Sequence, residues 1–445
     1  MIYIKNISLN NFKCFESTSS LELGKLTLLT GANSTGKSSL IYSILGVLQS
    51  SGFPLRFSAN GIYIQMGNFL EMVFKHDSSR LIRMNFTLVN TEENNEYRLM
   101  TEWKGDSVGN PIIKQIECRS NYFHLQIDNM DKLEGQILNL ELDPEKNNNR
   151  EEYEEALSFA SKQPERENSY IRLVEYLKYI ARKTSIKKYV LQDGFLMEKI
   201  KPEVKYPLFF VLQDIKSLLE KYNQHVNYIS SYRQPAKRIY AEEPVTSGKI
   251  ATSGEGFINE LLKWKDEKDE KFTQFVEAMK SMELLDDIEP SRLGAGQFKV
   301  GVRVHKDDEI VNLGDVGFGI SQIMPIIIGD VEIGKNSTLY ISQPEVHLHP
   351  KAQAKFGDYL VGQMKQGKRY VIESHSEYLM NRLRLAIVKG IIAEDDVKVY
   401  HMSQEKGQTK IYNVRFTKNG QIKGAPQDFF DTYMIDVMDI AMNAE

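Results

Sequence analysis

The sequence predicts an α/β fold with a largely parallel sheet, and three patterns carry that prediction. Between residues 338 and 416 short apolar runs alternate with amphipathic stretches, in the order Thr338–Ser342, Lys351–Lys365, Tyr370–Glu373, Glu377–Ile387, Val397–Met402 and Lys410–Phe416. Strands spaced by helices in this way build parallel sheets covered on their faces. Near the N-terminus an apolar run, Leu26–Thr30, leads into a glycine-rich turn and then into Ser39–Leu45, which has helical character. A third stretch, Met84–Asn90, Tyr97–Trp103, Pro111–Glu117 and Tyr122–Asp128, reads as strands joined by turn formers, the pattern of antiparallel hairpins.

In chain order, residues 1–142 make an N-terminal lobe of two strands, the glycine-rich turn, its helix and the antiparallel β lobe. The polar run 143–149 opens a charged helical insertion over 143–225. There Tyr170, Leu173, Val174, Leu177 and Ile180 keep helical spacing behind Ser169 as a cap. From Val226 the α/β pattern returns, and 226–445 forms a C-terminal lobe. It reads as a strand at Val226–Ser231, one long charged helix from Glu255 to Met282, a hairpin of Phe298–Val304 with Ile310–Asn312, and the alternating elements already described.

Composition narrows the functional classes. With 41% hydrophobic and 26% charged residues over 445 positions, the chain can bury a sizeable core. A net charge of −4 supplies no global field for nucleic acid or an anionic membrane, so any such binding is local. Cys14 and Cys118, the only two cysteines, have neither metal nor redox spacing. No apolar run approaches the roughly 20 residues that span a bilayer, so the reading is a cytoplasmic protein with no membrane partner.

The turn itself, Gly31-Ala32-Asn33-Ser34-Thr35-Gly36-Lys37-Ser38, completes the template G-x-x-x-x-G-K-[ST]. Its place between a strand and a helix is the context in which backbone N–H groups of the loop wrap a phosphate. Asn33, Ser34, Thr35, Gly36, Lys37, Ser38 and Ser39 are therefore the expected phosphate contacts. Lys37 reaches the outer phosphates, Ser38 offers its hydroxyl to Mg²⁺, and the following helix adds its positive end.

Four later segments fit the same chemistry. Gln65, in Ile64–Phe69, carries an amide oxygen suited to Mg²⁺, although a surface glutamine after a strand accounts for it equally well. In Gly317-Phe318-Gly319-Ile320-Ser321-Gln322 the glycines permit close backbone approach, and Ser321 opens an apolar helix. Leu339–Pro350 contains Ser342-Gln343-Pro344-Glu345, with His347 and His349 too few for a metal site. Tyr370–Ser376 ends an apolar strand on Glu373-Ser374-His375. In order and spacing these segments, with the opening Ile7–Phe15, resemble the P-loop NTPase heads of ABC type found in the RecF, Rad50 and overcoming-lysogenization (OLD) group. The resemblance implies ATP and Mg²⁺ as ligands, a Q-loop at Gln65, a signature at Gly319 and Ser321 that meets ATP held by a second subunit, and a γ-phosphate-sensing His375. It also implies a departure. Ser342 stands where relatives carry the Mg²⁺-binding carboxylate and Gln343 where they carry the general base, leaving Glu345 as the nearest carboxylate to activate water.

Tyr228–Tyr240, the Gly317–Gln322 run and Asn419–Ile422 with Phe429–Asp431 further resemble AAA-family ATPases with a DUF3696 C-terminal region, over nearly the whole chain outside the insertion. Such proteins often sit in bacterial anti-phage operons of Septu-like or PARIS-like type beside a separate nuclease. The two resemblances, with the departure at Ser342 and Gln343, imply a slow ATPase working as a nucleotide-dependent switch through a head-to-tail dimer, open to further assembly, that controls a separate nuclease effector. After His375 the chain lacks the paired acids of a two-metal nuclease. Two alternatives stay open: a RecF-like repair ATPase that binds DNA directly, and a non-hydrolysing nucleotide-bound scaffold. A nucleic-acid surface, if present, falls on Arg172 to Lys188, where Lys178, Arg182, Lys183 and Lys187 interleave with Tyr176, Tyr179 and Tyr189. The competing reading is a solvated face with the tyrosines packed inward.

Overall fold

The computed structural model describes residues 1–131, 135–147, 151, 154, 155, 158, 176–191, 200–243, 249–405, 407–426 and 429. The chain divides into two compact units, one made of Met1–Glu22 and Tyr42–Gln224, the other of Leu23–Ile41 and His225–Glu445. The glycine-rich turn therefore belongs with the C-terminal elements, rather than with the N-terminal lobe that 1–142 would make.

The first unit is a nine-stranded antiparallel sheet. Its order is Thr184–Leu191, Gly135–Leu142, Phe123–Asp128, Pro111–Arg119, Asn95–Gly105, Ile82–Asn90, Ile2–Phe12 and Phe15–Ser17, with Leu21–Glu22 also paired to Ile2–Phe12. Burial alternates along Ile82–Asn90, as a strand with one face on a core requires. The helix Pro202–Gln224 buries Leu208, Val211, Ile215 and Tyr222. Among these apolar residues sits Asp214, whose carboxylate accepts from the Tyr122 hydroxyl at 2.7 Å. Burial pushes its pKa up to about 6, against the pull of that hydrogen bond.

One expectation fails in this unit. Thr184–Leu191 is not part of a helical insertion but a strand, paired antiparallel with Gly135–Leu142. Its β-branched and aromatic residues fit a pleated sheet surface, and its exposure alternates accordingly. Two cations of the basic stretch have acidic neighbours: Lys183 pairs with Asp143 at 3.0 Å and Lys187 lies 3.9 Å from Glu141. Tyr179 stacks on Tyr206, and Tyr176 meets Tyr206 and Phe209, so these two rings pack against the neighbouring helix. Arg172 and the cap at Ser169 lie outside the described residues.

The second unit carries a seven-stranded sheet in the order Val226–Ile229, Thr338–Ser342, Arg369–Glu373, Leu26–Gly31, Val397–Glu405, Gln408–Phe416, Ile422–Lys423. The first five are parallel and the last two antiparallel. The chain adds strands on one side of Leu26–Gly31 and then crosses to place Val397–Glu405 on the other. That makes the end of Leu26–Gly31 the switch point, where open α/β sheets hold their ligands. Tyr240–Ala241, Asp287–Gly294, Gln297–Arg303 and Val311–Asn312 form a smaller antiparallel sheet. The long helix expected over 255–282 is two, Phe257–Glu267 and Glu270–Ser281. Lys268 adopts a left-handed conformation between them, and Asp269 caps the second through Lys271 N.

The helix Phe318–Glu332 is buried from Ser321 to Val331. Its one central charge, Asp330, is fully buried and accepts from the hydroxyls of Tyr359 (2.5 Å) and Tyr370 (3.1 Å), while Lys368 lies 2.9 Å away. These bonds tie that helix to the helix Pro350–Met364 and the strand Arg369–Glu373. No helix among the described residues is long and apolar enough to cross a membrane.

Candidate functional site

The strand Leu26–Gly31 is buried throughout and delivers the chain to Gly31, whose φ of 129° is open to glycine alone. A Cβ there would fall onto the main chain of Met402, on the neighbouring strand. The loop then turns through Ser34 (φ 62°) and Gly36 (φ 102°) before the helix Lys37–Leu48 begins. Asn33 and Ser34 are exposed, Gly36, Ser38 and Ser39 are half-buried, and Thr35 and Lys37 are buried. Two bonds brace the loop from within and without: Thr35 Oγ1 donates to Ala32 O at 2.8 Å, and Thr409 Oγ1 donates to Thr35 O at 2.9 Å. The Lys37 ammonium bonds the carbonyls of Gly31 (3.0 Å) and Ala32 (2.7 Å). Burial lowers its pKa, and the charges of Glu373 and Glu345 raise it in opposition.

The carboxylate at Ser38 comes from Glu373, for which the sequence suggests no ligand role, at the end of a strand that it does suggest. Ser38 Oγ donates to Glu373 Oε2 at 2.8 Å, and Ser342 Oγ donates to the same oxygen at 3.2 Å. Glu373 ends the strand Arg369–Glu373 and is register partner to both Ser342 and Leu29. Where Ser342 lacks an acid, its neighbour one strand across, about 4.8 Å away, supplies one. Two hydroxyls and a carboxylate are hard oxygen donors and suit Mg²⁺ completed by phosphate oxygens. The available signal was an acid closing the apolar run Tyr370-Val371-Ile372, where it is buried.

Glu345 is therefore not the carboxylate at Ser38. The turn after Pro344 points it at the next loop, where Oε2 accepts from Ser374 Oγ (2.8 Å) and Oε1 from His375 N (2.7 Å). Gln343 adopts φ 49°, its N–H donates to Glu373 O at 2.7 Å, and its carbonyl accepts from Arg233 Nη2 at 2.9 Å. His375 is half-buried at the strand end, one residue before Ser376, which caps the helix Glu377–Val388 through Leu379 N. His349 caps the helix Pro350–Met364 by accepting from Lys351 N, and the exposed His347 sets its ring edge-on to Phe318 at 4.8 Å. Neither histidine is part of a metal cluster, and among the described residues no group of three His, Cys, Asp or Glu side chains could hold one.

The segment Gly317–Gln322 needs correction at one residue. Ser321 is buried, with Oγ donating to Phe318 O at 2.9 Å, so its hydroxyl does not face outward to meet a second subunit. The helix is apolar on all sides from Ile323 to Gly329 and draws Ser321 inside with it. Gly317 and Phe318 are what the surface presents. Gly319 packs so closely on the His347 carbonyl that a Cβ has no room. Gln65 belongs to the first unit, exposed, with Nε2 donating to Gly61 O at 3.0 Å. The donor set at Ser38 described above comes entirely from the second unit.

A family model described as "AAA ATPase domain" matches residues 2–380. No curated protein matches the chain. Among solved structures it is similar to an Smc head domain with an extended coiled coil bound to the C-terminal domain of ScpA, from Pyrococcus furiosus. That likeness has 12% identity and a TM-score of 0.46, covering 99% of this chain and all of that one. It is also similar to the SMC head domain from Thermotoga maritima, with 10% identity and a TM-score of 0.42 over 92% of this chain and 98% of that one.

Proposed function

The chain belongs to the AAA ATPase domain family, and on that premise we propose that it binds ATP with Mg²⁺ and works as a slow, nucleotide-dependent switch. The observation that carries this reading is the bond from Ser38 to Glu373 beside the Lys37 ammonium, at the switch point of a parallel sheet. Lys37 and the loop N–H groups hold the phosphates. Ser38, Ser342 and Glu373 hold the metal, which when bound neutralises phosphate charge. Glu345 is the residue to accept a proton from attacking water, because Gln343 has no basic group. Both Glu345 oxygens already accept hydrogen bonds from Ser374 and His375. Proton transfer must compete with those bonds, and turnover is slow.

Titration of the purified protein with ATP, with and without Mg²⁺, tests the binding. Affinity should depend on the metal in the wild type and lose that dependence in Glu373→Gln. Metal-independent ATP binding by both proteins would refute the assignment. Glu345→Gln should remove residual hydrolysis while leaving ATP affinity intact.

The exposed Gly317-Phe318 edge and the resemblance of Tyr228–Tyr240 and Asn419–Ile422 to DUF3696-bearing ATPases support a wider role. In that role two copies close head to tail on ATP and govern a separate nuclease in anti-phage defence. Light scattering with and without ATP checks dimerisation, and capture of the native complex from its own cell checks the effector. The DNA-binding alternative is less favoured, because Lys183 and Lys187 have acidic neighbours across the sheet.

A further inference from the structure

One buried cation on the same strand ends as the cluster at Ser38 and Glu373 has no part in the chemistry above. Arg233 follows the strand Val226–Ile229 and is only 3% exposed. Its Nη2 donates to the Gln343 carbonyl at 2.9 Å, but Nε and Nη1 reach no hydrogen-bond acceptor among the described residues. Buried donors left unpaired are destabilising, most of all on a charged group. Glu345 acts on Arg233 through its charge, yet its hydrogen bonds go to Ser374 and His375. The same carboxylate acts on Lys37. Arg233 is bonded to Gln343, Gln343 to Glu373 and Glu373 to Ser38, which places the guanidinium at the same strand ends as the glycine-rich loop.

We infer that Arg233 donates to the terminal phosphoryl group of the bound triphosphate and so selects triphosphate over diphosphate. The inference rests on the triphosphate-binding reading above. A guanidinium presents five N–H donors in a planar fork that matches two phosphoryl oxygens at once, whereas an ammonium supplies charge without the fork. The fork is held in place before any ligand arrives. Its Nη2 is tied to Gln343, whose left-handed backbone is in turn pinned by its N–H to Glu373 O.

Calorimetry on the whole 445-residue chain with Mg²⁺ tests this, using a β,γ-imido ATP analogue and ADP as the two ligands. Arg233→Lys and Arg233→Ala should weaken the triphosphate analogue by about 10- to 100-fold and change ADP binding less than about twofold. Equal losses for both ligands overturn the inference, since Arg233 would then only support the loop. No loss for either ligand, or a wild type that binds both equally, overturns it too. Should Arg233→Ala fail to fold, Arg233→Lys, which keeps charge and bulk, decides alone. Lys37→Ala separates the two claims. Loss of both ligands there upholds the triphosphate site whatever Arg233 does, and retention of both removes the site itself.

Discussion

The two sheets use the same backbone chemistry to opposite ends. In the antiparallel sheet successive strands reverse, so strand ends alternate between its two edges and their loops scatter. In the five parallel strands every carboxyl end lies on one edge. Residues near 31–38, 233, 342–345 and 373–375 gather there although hundreds of positions separate them. The polar groups differ accordingly. Asp214, in the first unit, is bonded to a tyrosine within the packing of a helix, while Glu373 bridges two hydroxyls at the carboxyl end of a parallel strand.

Four experiments sharpen or break that contrast. The largest effect is expected for Asp330→Ala, which strands the buried Lys368 ammonium and should cost about 3–5 kcal/mol of stability in urea denaturation. A neutral result would mean that the second unit is not held by that network. Glu373→Gln should leave the urea midpoint near wild type but weaken Mg²⁺-dependent ATP binding roughly 30-fold, about 2 kcal/mol. If stability falls instead, the residue belongs to packing rather than to a site.

Asp214 makes the opposite prediction. Its folded pKa, about 6, lies above the ordinary value of 3.8. The folded state therefore holds the proton more tightly, and stability declines as pH rises through the window between those values. Asp214→Asn should flatten that decline and gain on the order of 1–2 kcal/mol at pH 7, with ATP affinity unaltered. An unchanged pH profile would show that the carboxylate is well solvated. The smallest effect is expected for Lys187→Ala, which should move neither the urea midpoint nor the salt dependence of any DNA binding. A reduced salt slope would give the antiparallel sheet a ligand after all.

Much of the second unit was legible because its signals are local. The spacing of Gly31, Gly36 and Lys37 needs no tertiary partner to be read, and the strands at 338–342 and 369–373 are short apolar runs between turn formers. Glu373 was not legible as the partner of Ser38, because their meeting depends on which strands lie side by side. Arg233 lay in a run whose resemblance was noted, but its burial and open donors follow from packing. Thr184–Leu191 was misread for a different reason. The helical spacing up to Ile180 and the surrounding charge extended the pattern past a boundary that Thr184, Ile186 and Val190 mark by their branching. Asp269 offered a comparable clue, a capping residue inside what looked like one helix.

The fit of Gly31 against Met402, with Thr409 bracing Thr35, has a consequence for how the protein is made. The turn at Gly31 leaves the ribosome some 370 positions before the residues that shape its outer wall. A nascent chain thus carries the full sequence motif long before it has the receptor, and competence for nucleotide waits on strands made much later.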